Sequence, residues 1–223
     1  MLDVFNIAKP QGCDIQQFVG TPRLYGSTPT PSDFTWVKPR GVSHVYMMLI
    51  GAGGRGDGVN TGGGSGAVTV WYGAAQNVPD NLLVQPGMEI TRDTTVGYRG
   101  TSLVTLLTAS SASTATAGAA SSANQFAASG FFQSIAGQNG TNGISSASAT
   151  TFLSGGAGST RVDSNYGYTH GINGAGFFQM QPIIVGSGGG NQFSGGIGCG
   201  SGPNVPGTIN CAGGPGMVLI ASW

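Results

Sequence analysis

Charge is what this sequence has least of. Its 223 residues carry eight basic and eight acidic side chains, for a net charge of zero. Glu89 is its single glutamate, and Lys9 and Lys38 are its only lysines. Such a chain has no electrostatic footprint for nucleic acid or for an anionic membrane surface. Metal-ligating residues are nearly as scarce. The three cysteines, Cys13, Cys199 and Cys211, form no CxxC pair and no Cys/His cluster, so a zinc site has nothing to stand on. Cys199 and Cys211 share one glycine-rich region, where reduced thiols packed as small apolar groups are expected over a bridge.

Catalytic groupings are also missing. The histidines are His44 and His170, no Ser occupies a G-x-S-x-G elbow, and the eight carboxylates are scattered singly. The reading is therefore non-enzymatic, with no cofactor and no metal. No apolar run approaches the roughly 18 residues of a membrane-spanning helix. The first twelve residues lack the basic start and apolar stretch of a secretory signal. A soluble protein made in a cytoplasm is expected.

What is abundant is glycine. There are 42, nearly three times the ordinary share of roughly 7%. No G-X-Y period runs through them, which excludes collagen, and a hydrophobic fraction of 39% excludes a charged disordered chain. The glycines concentrate in two tracts, nine within residues 51–66 and thirteen within residues 186–216. Between them, residues 108–122 are Ala, Ser and Thr apart from Gly118. Ala favours helix while Ser and Thr compete for the backbone, so a helix around residues 116–129 and an irregular segment are both open.

Short apolar segments separate these tracts and read as strands. Phe34-Thr35-Trp36-Val37 alternates and stops at Lys38-Pro39-Arg40-Gly41, a turn sequence. Residues 45–50 are continuously apolar and too short for a helix, which suits a strand covered on both faces. Residues 67–72, 82–84, 103–107, 183–185 and 217–220 are further strands, and residues 89–95 return from the turn Gln85-Pro86-Gly87. Many short strands divided by Gly and Pro turns predict an all-β, antiparallel, jelly-roll-like β-sandwich with long glycine-rich loops. Residues 1–33, punctuated by Pro10, Pro22, Pro29 and Pro31, read as an extended docking arm, and residues 34–223 as the domain.

Several motifs invite function. Gly51-Ala52-Gly53-Gly54-Arg55-Gly56 matches G-x-G-x-x-G after a strand, but the glycine-rich continuation cannot start a helix and no carboxylate lies between Asp57 and Asp80. Arg55-Gly56-Asp57 spells an integrin-binding tripeptide, for which a local charge pair is the plainer account. Gly130-Phe131-Phe132-Gln133 recurs as Gly176-Phe177-Phe178-Gln179. Tyr25, Trp36, Tyr46, Trp71, Tyr72, Tyr98, Tyr166, Tyr168 and Trp223 sit among Gly, Ser and Asn, a composition suited to sugar or surface binding. Trp36 and Trp71 fall on strands and read as core. Tyr166, Tyr168 and His170 fall on a loop and, with Arg55 and Asp57, are the candidate surface-binding residues.

Taken together, Phe34-Thr35-Trp36-Val37, Pro39-Arg40-Gly41-Val42, the strand at 45–50 and Gly51-Ala52-Gly53-Gly54 resemble the glycine-rich domain of phage tail fibres and other virion surface proteins. Gly62-Gly63-Gly64-Ser65-Gly66 before the strand at 67–72, and Gly213-Gly214-Pro215-Gly216 before the strand at 217–223, continue the likeness. The middle of the chain is Ala/Ser-rich rather than Gly-rich, and no long shaft precedes the domain. The resemblance therefore implies a small virion surface component: a capsid decoration, spike or head-fibre protein attached to other virion proteins through its arm. A receptor-binding adhesin that recognises a host cell-surface glycan is the alternative. The resemblance also implies a homotrimer or other symmetric assembly. Glycine permits close backbone approach, so the tracts are expected to stack as polyglycine-II-like extended segments hydrogen-bonded to their neighbours.

Overall fold

Wherever β-branched and aromatic residues cluster between glycines, the chain extends and pairs. The computed structural model describes residues 12–21, 30–56, 63–88, 92–140, 159–163, 168–172, 184–185, 197–201 and 212–223. Among the described residues twelve strands run in the order β1 Asp14–Val19, β2 Phe34–Val37, β3 His44–Ile50, β4 Val68–Ala74, β5 Asn81–Gln85, β6 Thr94–Arg99, β7 Leu103–Ala109, β8 Phe131–Ile135, β9 Ser159–Asp163, β10 Tyr168–Ile172, β11 Ile184–Val185 and β12 Met217–Ser222. All named pairings are antiparallel.

Two of the sheets form the sandwich. The first has the order β1-β12-β3-β4-β8 and the second β2-β5-β6-β7. The chain crosses between them from β1 to β2 to β3, whereas β3–β4 and β5–β6–β7 are hairpins within one sheet. A third sheet, β11-β10-β9, is defined by its own backbone register. The core between the first two sheets takes Trp36 from β2, Val45, Met47 and Leu49 from β3, and Trp71 from β4. Leu82 and Val84, Val96, Leu107, and Val218 with Ile220 complete it from β5, β6, β7 and β12. Trp36 and Trp71 are fully buried, as their strand positions predict.

The apolar run in β3 reflects burial on both faces. Val45, Met47 and Leu49 point into the sandwich, while Met48 and Ile50 join Val68, Val70 and Met217 in a second cluster on the opposite face. Ile197, from a glycine-rich segment, packs on that second cluster.

One difference from the sequence reading has a physical reason. Residues 14–19, within the stretch read as a docking arm, pair along their whole length with β12 and form an edge strand of the sandwich. Gln16 and Gln17 dilute the strand signal there, and an edge strand tolerates them because only one of its sides is paired. Of the two alternatives open for residues 116–129, the irregular one holds: they contain no α-helix, only a one-turn 3-10 helix at Ala127–Ser129. Side chains in this region take up backbone carbonyls instead. The Ser121 hydroxyl donates to Thr108 O, at 2.8 Å, and the Asn124 amide to Leu106 O, at 2.8 Å. The first Gly-Phe-Phe-Gln copy lies at β8, where Phe132 packs against the core and Phe131 points outward. Its second copy lies outside the described residues.

Candidate functional site

The residues singled out from sequence are only partly placed. Arg55 is described and half-buried, while Asp57 and Tyr166 lie outside the described residues, as does Cys211 with the question of its pairing. Tyr168 and His170 fall on β10, a strand rather than a loop, opposite Asp163 and Arg161 in the register. Tyr168 and His170, two residues apart on β10, share one face of that strand. Two other surfaces emerge.

The first is built from backbone. Where β3 ends, residues 51–56 leave the sheet and run among segments 63–67, 110–118, 137–140, 198–201 and 212–216, of which 110–118 folds back through a turn at Thr114. The hydrogen bonds between them follow a period of three. Gly63 N–H donates to Ser201 O, Gly64 to Thr114 O and Ser65 to Gln138 O. The cycle then repeats, with Gly66 donating to Gly198 O and Ala67 to Ser110 O. Gly51 and Gly54 likewise donate, three residues apart, to Ala67 O and Gly64 O. A strand in a sheet bonds in one plane with period two. A segment that turns by a third of a revolution per residue bonds three neighbours in rotation, which is the geometry of a polyproline-II or polyglycine-II array.

Sequence dictates this arrangement through what it omits. A Cβ built on Gly51, Gly53, Gly54, Gly63, Gly66, Gly118, Gly137 or Gly213 would fall within 3.0 Å of a neighbouring segment's backbone, closer than real Cβ atoms sit. Only glycine admits segments this near to one another. The G-x-G-x-x-G match at residues 51–56 belongs to this bundle, and its N–H groups are directed at other segments and at Ser111 and Ser201 hydroxyls.

The second surface is aromatic and lies on the outward face of the five-stranded sheet. The register aligns Ile15, Ala221, Tyr46, Tyr72 and Phe131 in one row across its five strands. Beyond that row, His44 and Trp223 exchange backbone hydrogen bonds, at 3.0 and 3.1 Å. The His44, Tyr72 and Trp223 rings are nearly parallel, tilted by 12° to 19°, with centroids 5.6, 5.8 and 6.0 Å apart. In a column of three rings the outer pair would be twice as far apart as the neighbours. Near-equal spacings instead describe three rings shingled into a plate. Tyr72, Trp223 and Phe131 are 37%, 41% and 59% exposed.

Hydrogen bonds anchor the backbone of the plate at Trp223. Trp223 O accepts from Ser43 N–H at 2.7 Å, His44 N–H at 3.0 Å and the Ser43 hydroxyl at 3.2 Å. Besides His44, the amides of Gln17 and Gln133 are polar on this face, and its outward strand positions hold no Asp, Glu, Lys or Arg. Burial raises the pKa of the Tyr46 phenol, so it stays a neutral donor beside the plate. Sequence reasoning grouped Tyr46, Tyr72 and Trp223 with other aromatics but did not separate them. The signal was parity: Tyr46 and Tyr72 are out of phase with Val45 and Trp71, which face the core.

A cleft of about 250 Å³ lies between β7 and the segment leading to β8, lined by Leu106, Thr108, Ser121, Asn124 and Phe132. Its polar atoms bond across its own wall. No family model matches this chain, and no curated protein matches it in sequence.

Proposed function

We propose that this chain is a non-enzymatic structural protein on the surface of a bacteriophage particle, a capsid decoration, spike or head-fibre component. It is synthesised in the host cytoplasm and joins other virion proteins as a homotrimer, with its N-terminal residues contributing the attachment. The observation that carries this reading is the glycine bundle with its three-residue bonding period. It is a block of neutral backbone, dense and poor in side chains, continuous with the sandwich in a chain of zero net charge. Such a block offers few of the flexible, charged side chains on which proteases and non-specific partners act, which suits a particle exterior. The sequence likeness to glycine-rich virion domains supports the same reading.

The test is labelling of intact, density-purified particles with an antibody to the chain, read by electron microscopy. Label at regular exterior positions is expected. Label confined to the unassembled lysate fraction would overturn the proposal. Removing residues 1–11 keeps β1 whole and is expected to abolish attachment while leaving a folded protein. Sedimentation of the purified protein should give three times the 22.3 kDa chain mass.

A further inference from the structure

We propose that the plate formed by His44, Tyr72 and Trp223 is a binding site for a neutral oligosaccharide. A pyranose carries several C–H bonds on one face, and these settle on the electron-rich face of an aromatic ring. The plate offers three such rings, nearly parallel, with Trp223 tied to His44 through both its backbone N–H and its carbonyl. With Phe131 it extends over four adjacent strands, β12, β3, β4 and β8, a strip about 14 Å long at ordinary strand spacing. That is the reach of a short oligosaccharide lying across the sheet.

The chemistry around the rings selects the same class of ligand. Outward positions on the five strands hold no Asp, Glu, Lys or Arg, so no basic side chain of these strands is there to neutralise an acidic polysaccharide or a phosphate. Gln133 stands on the next outward row beside the aromatic strip. Its amide both donates and accepts, as sugar hydroxyls require. Rings already held in place lose little conformational entropy when a ligand arrives, the usual advantage of aromatic binding surfaces.

Area argues against a second copy of the chain as the occupant. A stable protein interface needs about 800 Å² from each partner. The open part of this face is a strip one or two residues deep, because its remainder, around Met48, Ile50, Val68 and Met217, is already buried within the chain. The inference is independent of the particle role, since sugar binding and particle labelling are read in separate experiments.

The test is calorimetric titration of the full chain with maltotriose, cellotriose and triacetylchitotriose, each used separately. Saturable binding to at least one of them is expected, with a dissociation constant of about 1 mM. Tyr72→Ala and Trp223→Ala should each weaken it tenfold or more, and Val37→Ala, on the other sheet, should leave it unchanged. Trp36 and Trp71 are fully buried, so the indole fluorescence change on binding should come from Trp223 and vanish in Trp223→Ala. If Tyr72→Ala fails to fold by circular dichroism, Phe131→Ala takes its place, because that side chain is 59% exposed. Absence of saturable binding to all three sugars overturns the proposal. So does binding that survives the plate variants, which places the sugar elsewhere. A concentration-dependent dimer abolished by the plate variants overturns it in favour of a second copy.

Discussion

Arg92 Nη1 donates to Asp33 Oδ1 at 2.7 Å, tying the stretch just before β2 to the turn that enters β6. The same guanidinium reaches two carbonyls, Ser32 O at 3.0 Å and Pro86 O at 2.8 Å, through Nη2. Arginine's planar fork can serve three acceptors at fixed angles, and a lysine ammonium on a flexible stem cannot reproduce that. The carbonyl bonds and the ion pair are separable. Asp33 is 38% exposed, so water screens the pair, and Asp33→Asn is expected to cost less than about 1 kcal/mol. Arg92→Lys also disturbs both carbonyl contacts and should cost about 2 kcal/mol. Urea unfolding midpoints of the two variants decide the order; equal losses would mean that the ion pair dominates.

Glycine replacements sort by what surrounds them. Gly63→Ala and Gly53→Ala drive a methyl into neighbouring backbone, which cannot rotate aside, and should cost about 3 kcal/mol or prevent folding. At Gly100 the nearest atoms to a new Cβ lie 3.8 Å away. Alanine there should be neutral or stabilise by about 0.5 kcal/mol through the unfolded chain. Gly41 has open space but a φ of 82°, so Gly41→Ala should cost about 1 kcal/mol from backbone strain alone. Thermal unfolding of the set measures all four, and uniform losses would contradict the steric account of the bundle.

Thr94 is a buried hydroxyl used twice. It donates to Ile50 O at 2.6 Å and accepts from Gly87 N–H at 2.7 Å, joining the end of β3 to the second sheet. Thr94→Val keeps the shape and strands both partners, with an expected loss of about 3 kcal/mol. Thr94→Ser keeps both bonds and should lose less than half as much. A smaller loss in Val than in Ser would refute the hydrogen-bond explanation.

Alkaline pH supplies a fourth test. The folded pKa of Tyr46 is raised by burial above its usual value of 10.0. The folded state therefore holds this proton more tightly than the unfolded chain does. Its contribution to stability is complete below pH 10 and declines as pH rises through the folded value. Denaturant midpoints measured across pH 9 to about 12 should fall more steeply for the parent than for Tyr46→Phe. Parallel curves would remove Tyr46 as the cause.

The sandwich was legible because its strands carry β-branched and aromatic residues in short bounded runs. Residues 34–37, 45–50 and 103–107 lie within strands that form where those runs stand. β1 was not legible, since Gln16 and Gln17 occupy positions that an edge strand tolerates and a central one would not. The glycine tracts were legible as a material but not as a topology. Composition announces close backbone approach, whereas which segments meet depends on partners far apart in the chain, such as Gly53 with Gly214. The plate stayed hidden for a related reason. His44 and Trp223 stand at opposite ends of the domain sequence and become neighbours only once β12 pairs with β3.

The bonding order within the glycine bundle also sets an order in time. Gly63 and Gly66 donate to Ser201 and Gly198, and Gly53 donates to Gly214. During synthesis, the early glycines emerge long before these acceptors exist, and water must occupy their N–H groups meanwhile. Loop closures of this length make folding slow. The bundle thus acts as a delayed lock, and a chain cut short before residue 198 would lack both these acceptors and β12, leaving the glycine side open and β1 without its partner strand.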